Sequence, residues 1–151
     1  MSIIVPVFDL TNSNVIQNTN NSVKYCILGK PIPLERPRFG NGHVWDSQKQ
    51  LKHSWGVQLQ EQHQDRPMFS GVPLRLEVDF YMPFPRMTVK KQMSYANKLH
   101  IGRPDLDNLV KFVCDASMGI LMMDDAIVAS VEATKRYSEN PRTEFILIEM
   151  K

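Results

Sequence analysis

The stretch Arg103-Pro104-Asp105-Leu106-Asp107-Asn108-Leu109-Val110-Lys111, followed by Asp115 and by Asp124-Asp125, gathers five carboxylates and a lysine into 23 residues. Asp105 and Asp107 are two apart in a segment that Pro104 keeps extended. Alternate side chains of an extended segment point the same way, so both carboxylates can face one point. Lys111 follows Asp107 by four residues, one helical turn along the same face. Asp124-Asp125 returns just before a predicted strand and brings acid from a second element. Clustered carboxylates repel one another unless a cation neutralises them. All-oxygen donors favour Mg²⁺ or Mn²⁺, ions that keep several waters and bind phosphates well. Such an ion can activate water and stabilise the charge that develops as a phosphodiester is cleaved, and a nearby ammonium can neutralise the phosphate or the leaving oxygen. The same residues have structural uses. Asp105 or Asp107 can cap a helix, Asp124-Asp125 can form a turn, and Lys111 can pair with Asp107 or Asp115 on a helix surface.

The elements that must hold these groups follow from periodicity and punctuation. Residues 23–28 form a short β-type run closed by Gly29, and Pro31, Pro33 and Pro37 keep the next segment extended. Asn41-Gly42 between Arg38-Phe39 and Val44-Trp45 signals a small hairpin. Ser47 is placed to cap a helix running to about Gln64, with Leu51, Trp55 and Leu59 at four-residue spacing. Residues 74–81 alternate, with Leu74, Leu76, Val78 and Phe80 on one face and Arg75, Glu77 and Asp79 on the other, as in a half-buried strand. Residues 86–104 read as a long loop with one helical turn, a length that in compact domains often signals function. A second helix is expected from Asp107 to Met118, ending at Gly119. Strands are expected over 126–137 and 144–150, joined by a turn at 138–142. The order predicts an α+β single domain, a mixed β-sheet with two main helices packed on it. Residues 1–22 read as an N-terminal extension, Asn-, Ser- and Thr-rich after residue 10, and residues 23–151 as the domain.

A chain of 151 residues, 42% hydrophobic and 23% charged, has material for one packed core. No apolar run reaches the roughly 20 residues that span a bilayer. No basic n-region opens the chain, and two cysteines, Cys26 and Cys114, make no disulfide framework, so reduced thiols and a cytoplasmic location are expected. The net charge of +2 conceals structure along the chain. Residues 24–55 and residues 83–111 each carry six basic and two acidic side chains, whereas the flanking segments are net acidic. Arg36 and Arg38 alternate around Pro37. Lys90, Lys91, Lys98 and Arg103 project from the long loop. These six are candidate DNA-phosphate contacts, which confer affinity and salt dependence but little sequence information. Trp45, beside the basic hairpin, is a further candidate for touching DNA. His43, His53, His63 and His100 match no usual zinc spacing, and no nucleophile motif or Gly-rich phosphate loop is present.

Read as a pattern, the acidic stretch closely resembles the RusA family of Holliday-junction resolvases. The resemblance rests on Asp105-Leu106-Asp107-Asn108 with Lys111, on Asp115-Ala116 before Gly119-Ile120, and on Asp124-Asp125 before Ala126-Ile127-Val128. Gly29-Lys30-Pro31-Ile32-Pro33 and Arg36-Pro37-Arg38-Phe39 support it in the N-terminal half. It implies a small homodimeric endonuclease that cuts four-way DNA junctions symmetrically with Mg²⁺ or Mn²⁺ in recombination and repair. It also implies that Asp105, Asp107 and Asp125 are metal-binding catalytic carboxylates and that Lys111 is a catalytic lysine, with the adjacent Asp124 a further candidate ligand. The other readings are a nuclease for branched DNA in general and a non-catalytic junction-binding protein.

Overall fold

The computed structural model describes residues 21–150. Expectations for residues 1–20 lie outside the described residues. Asn21 already belongs to the domain, since its carbonyl accepts the Glu149 N–H at 2.9 Å.

The chain runs β1 (Ser22–Leu28), β2 (Arg38–Gly40), β3 (His43–Trp45), α1 (Lys49–His63), β4 (Leu74–Met82), α2 (Val89–Met93), α3 (Leu106–Ser117), a 3₁₀ turn (Asp125–Ile127), β5 (Val128–Tyr137) and β6 (Arg142–Glu149). Four strands make one sheet in the order β1-β6-β4-β5. β6 is antiparallel to both β1 and β4, and β4 is parallel to β5. The fold is α+β, with a mixed sheet carrying two main helices. β4 shows the alternation written in its sequence: Leu74, Leu76, Val78, Phe80 and Met82 are buried on the helix side, and the residues between them are half-buried on the other. Each large apolar side chain so buried contributes roughly 1.5–3 kcal/mol.

α1 and α3 meet over this face. The Trp55 ring of α1 packs edge-on against Phe112 of α3 at 5.5 Å and parallel to Phe145 of β6 at 6.0 Å. A Cβ at Gly56 would stand 2.9 Å from Ile120 Cδ1, so α1 passes close to the segment leaving α3 and a larger residue there would have to displace the tip of the Ile120 side chain. α1 also covers the free edge of β1. Gln62 accepts from the Cys26 N–H at 2.8 Å and donates to the Cys26 carbonyl at 2.7 Å, and Gln58 accepts from the Leu28 N–H at 3.1 Å. Two glutamine amides thus occupy backbone groups that would otherwise template another strand.

The Asn41-Gly42 hairpin forms as expected, both residues having positive φ as this two-residue turn requires. Three local expectations are corrected. Ser47 does not cap α1; its hydroxyl donates to Glu35 at 3.0 Å, and the capping position falls to Gln48. The Gln48 side chain serves the Pro-rich strap instead, accepting from the Glu35 N–H at 2.9 Å and donating to the Pro33 carbonyl at 2.8 Å. Leu51 is exposed, because the first turn of α1 reaches past the sheet toward Pro31 and Pro33. Residues 125–127 form a 3₁₀ turn ahead of β5, held by the Asp124 side chain. The expected turn after β5 does join it to β6, but without pairing them: Ser138 N–H donates to the Met82 carbonyl at 2.8 Å, and the chain crosses the end of β4 so that β6 enters between β4 and β1.

Because β4 and β5 are parallel, the chain between them must cross over from one end of the sheet to the other. That crossover carries α2, α3 and every acidic residue from Asp105 to Asp125.

Candidate active site at the start of α3

α3 begins one residue earlier than its sequence pattern suggests, at Leu106. Asp105 is therefore the extended residue before the helix (φ −69°, ψ 142°), and Asp107 sits in its first turn. The two carboxylates leave from a helix start and not from one extended strand, so strict alternation does not align them. Asp105 occupies the position where an Asp usually caps, yet its side chain makes no capping bond. Among the described residues neither Asp105 nor Asp125 has a side-chain hydrogen-bond or ion-pair partner. Asp107 has one weak tie, 3.5 Å to Lys111 Nζ, with both side chains about two-thirds exposed. Placed in the first turn, Asp107 also gains from the positive end of the helix dipole, roughly 0.3–1 kcal/mol.

Asp124 and Asp125 divide their roles. Asp124 Oδ1 accepts the Ala126 N–H at 2.9 Å and so closes the 3₁₀ turn. Asp125 is half-buried at the start of that turn. Burial, then the charge of Asp125, then that of Asp115 push the Cys114 thiol up to about 11, far from a nucleophile's range. Cys114 is seven residues, two turns, beyond Asp107, with Lys111 between them on one stripe of the helix. A groove of about 580 Å³ lies between α3 and β5, lined by Leu106, Asp107, Val110, Lys111, Val131 and Ala133. Among the described residues no three His, Cys, Asp or Glu side chains are drawn together closely enough to hold an ion unaided.

Both basic segments of the sequence reach the start of α3. Leu34 N–H donates to the Asn108 carbonyl at 2.9 Å, which moors the strap bearing Arg36 and Arg38 beside Asp107. From the other side, Arg103 precedes Asp105 by two residues, and Lys98 is tied to β5 through the Tyr137 N–H at 2.9 Å. Arg36, Arg38, Lys98 and Arg103 are exposed there. Lys90 and Lys91 are exposed on α2, further back in the crossover, with no tie to α3 among the described contacts. The hairpin stands out with Phe39, Val44 and Trp45 exposed. His63 is spent in the core, bonded to Tyr25 Oη at 2.8 Å and to the Pro67 carbonyl at 3.2 Å.

One residue of the region has no signal in its spacing. Lys52 of α1 reaches Asp115 at 2.6 Å and Asp46 at 2.5 Å. Burial opposes its charge, but the bonds to Asp115 and Asp46 prevail and raise its pKa above the usual 10.5.

Two comparisons bear on this arrangement. An uncharacterized protein of Bacillus subtilis, YqaN, is 32% identical over 138 residues, covering 85% of this chain and 96% of its own. The family described as endodeoxyribonuclease RusA matches residues 29–148, from the strap through the acidic crossover to β6. With that match over most of its length, the chain belongs to the RusA family of endodeoxyribonucleases.

Proposed function

We propose that this chain is a Mg²⁺- or Mn²⁺-dependent endonuclease that resolves four-way DNA junctions by paired symmetric cuts, acting as a cytoplasmic homodimer in DNA recombination and repair. One observation carries the reading. On a RusA-family chain, Asp105 keeps a carboxylate with no side-chain partner among the described residues, at the helix start where two basic segments converge. A purely structural aspartate would be spent on a cap or an ion pair, as Asp124 and Asp115 are.

The donor set is all oxygen and fits a hard divalent cation. Asp105, Asp107 and Asp125 would hold it, and Asp124 would have only its second oxygen to offer. Bound there, the ion supplies Lewis acidity at the phosphate and a more acidic water. Lys111, held only by its long pair with Asp107, can turn its ammonium to a phosphate or leaving oxygen. Arg36, Arg38, Lys90, Lys91, Lys98 and Arg103 neutralise the backbone of the bound arms and make binding salt-dependent. One chain offers one acidic site, so two symmetric cuts need two copies, and a twofold dimer matches a near-twofold junction.

The test is a labelled four-way junction incubated with and without Mg²⁺. Paired nicks at symmetric positions are expected, with none in EDTA and none in Asp107→Asn. No paired nicks, or full activity in Asp107→Asn, overturns the proposal. Flaps cut as fast as junctions would make it a general branched-DNA nuclease. Junction binding in EDTA without cleavage under any divalent metal would make it a structure-binding protein. Light scattering reads the dimer directly.

A further inference from the structure

Resting on that reading, we propose that Lys135 is a positioning residue for the acidic site, because its ammonium fixes the backbone that aims Asp105. Lys135 lies in β5 opposite Phe80, on the face where Val131 lies opposite Leu76 and Ala133 opposite Val78. On β4 that face is wholly apolar and buried. A lysine among those positions is not explained by packing. Its Nζ donates to the carbonyls of Gly102 at 2.5 Å and Pro104 at 2.7 Å. It has no carboxylate partner among the described residues, so its charge is committed to two neutral acceptors on either side of Arg103. Hydrogen bonds from an ionised donor are roughly twice as strong as neutral ones.

Pro104 is bonded directly to Asp105. The Asp105 carboxylate receives no help from the helix it precedes, having no capping bond. Its direction is therefore set by its own backbone, and that backbone is held through the Pro104 carbonyl. The rest of the segment is moored to the same strand. Lys135 O accepts the His100 N–H at 2.9 Å, Tyr137 N–H donates to the Lys98 carbonyl at 2.9 Å, and the His100 ring packs 4.7 Å from that of Tyr137. Residues 98–104 thus hang from β5 at both ends, with the Lys135 ammonium the tie nearest the carboxylate.

A role confined to closing the loop would affect stability alone. A positioning role also affects metal affinity, since groups that orient a ligand typically change it 10–100-fold when removed. The test uses the full chain with Lys135→Met, which keeps the stem and removes the donors, and Lys135→Arg, which keeps donors. Mn²⁺ binding is measured by titration calorimetry, beside the Mg²⁺ dependence of junction cleavage and the thermal midpoint. The expected result for Lys135→Met is Mn²⁺ affinity about 10–100-fold lower. The Mg²⁺ needed for half-maximal cleavage should rise in parallel, and most of the rate should return at saturating Mg²⁺. Lys135→Arg should recover most of the affinity. Unchanged Mn²⁺ affinity in Lys135→Met, whatever its midpoint, overturns the inference. If that variant does not fold, Lys135→Gln decides: its shorter, uncharged amide N–H₂ should give an intermediate loss, and no loss overturns the inference. Failure of the functional reading looks different, because the unaltered protein would then bind no Mn²⁺.

Discussion

At the far end of α3, Asp115 lies 2.6 Å from the Lys52 ammonium, which also holds Asp46 and joins α1 to α3. At the near end, Asp105 has no side-chain partner among the described residues and Asp107 has an exposed lysine at 3.5 Å. The two ends share a helix, a residue type and a neighbouring lysine, yet one carboxylate has its countercharge built in and the others do not. The difference separates structure from chemistry. A carboxylate that holds a fold gains by being neutralised within the chain. A carboxylate that is to receive a cation from solution must be left without one, and its repulsion with neighbours is tolerated until the ion arrives.

The largest effect expected from this contrast is on activity at the near end. Asp105→Asn, Asp107→Asn and Asp125→Asn should each lower junction cleavage by at least about 100-fold, the scale of losing several kcal/mol of charge stabilisation. Asp105→Asn and Asp125→Asn should leave the thermal midpoint unchanged or raised, because the change removes negative charge with no partner among the described residues, whereas Asp107→Asn should lower it slightly by giving up its place at the helix N-terminus. A fall in midpoint alongside full activity would erase the distinction.

Asp115→Asn and Lys52→Met should behave in the opposite way. A half-buried pair of this kind is worth about 1 kcal/mol, which for a domain of this size lowers the midpoint by roughly 2–4 °C. Cleavage at 25 °C should stay within a few-fold of the unaltered protein. Loss of cleavage without loss of stability would move Asp115 into the site. Asp124 tests the boundary. Asp124→Ala gives up the bond to the Ala126 N–H, at a cost of about 0.5–1 kcal/mol as for other caps, and should keep more than a tenth of the activity. A loss as deep as that of Asp125→Asn would make its second oxygen a ligand.

How far this contrast could be read from the sequence follows from the range of the interactions. The β4 alternation, the Asn41-Gly42 hairpin and the two helices rest on local periodicity and turn chemistry, and all are legible. So is the acidic set, because a motif keeps its spacing whatever the fold. What was not legible depends on residues far apart in the chain. Ser47 reads as a cap until Gln48 is seen tied to Pro33 and Glu35. The 138–142 turn reads as a simple link until β6 is seen between β1 and β4. Lys52 meets Asp115 across 63 positions, and nothing in its own neighbourhood predicts it. Lys135 did leave a trace, as a lysine in the apolar register of Val131 and Ala133, but its acceptors are backbone carbonyls that no residue type advertises.

The smallest effect is one of pH, and it sharpens the contrast without touching activity. The hydrogen bond from Lys52 is the first cause holding the Asp46 carboxyl below its usual 3.8, with the Gln48 N–H adding to it. A carboxyl depressed in the folded state stabilises fully above its unfolded value, and that contribution is lost as pH falls through the lower, folded one. The Lys52 ammonium, raised above 10.5, contributes fully below that value and loses its contribution only as pH rises beyond it. Between about pH 4 and pH 10 the cluster's stability should therefore be flat. Acid unfolding should begin below that window, and Lys52→Met should make its acid limb shallower. Asp107→Asn serves as the comparison from the other end of α3, where the tie to Lys111 is long and exposed. Circular dichroism across an acid titration of the three proteins reads the difference, and an acid limb changed equally by both substitutions would mean that the two ends of α3 are electrostatically one site.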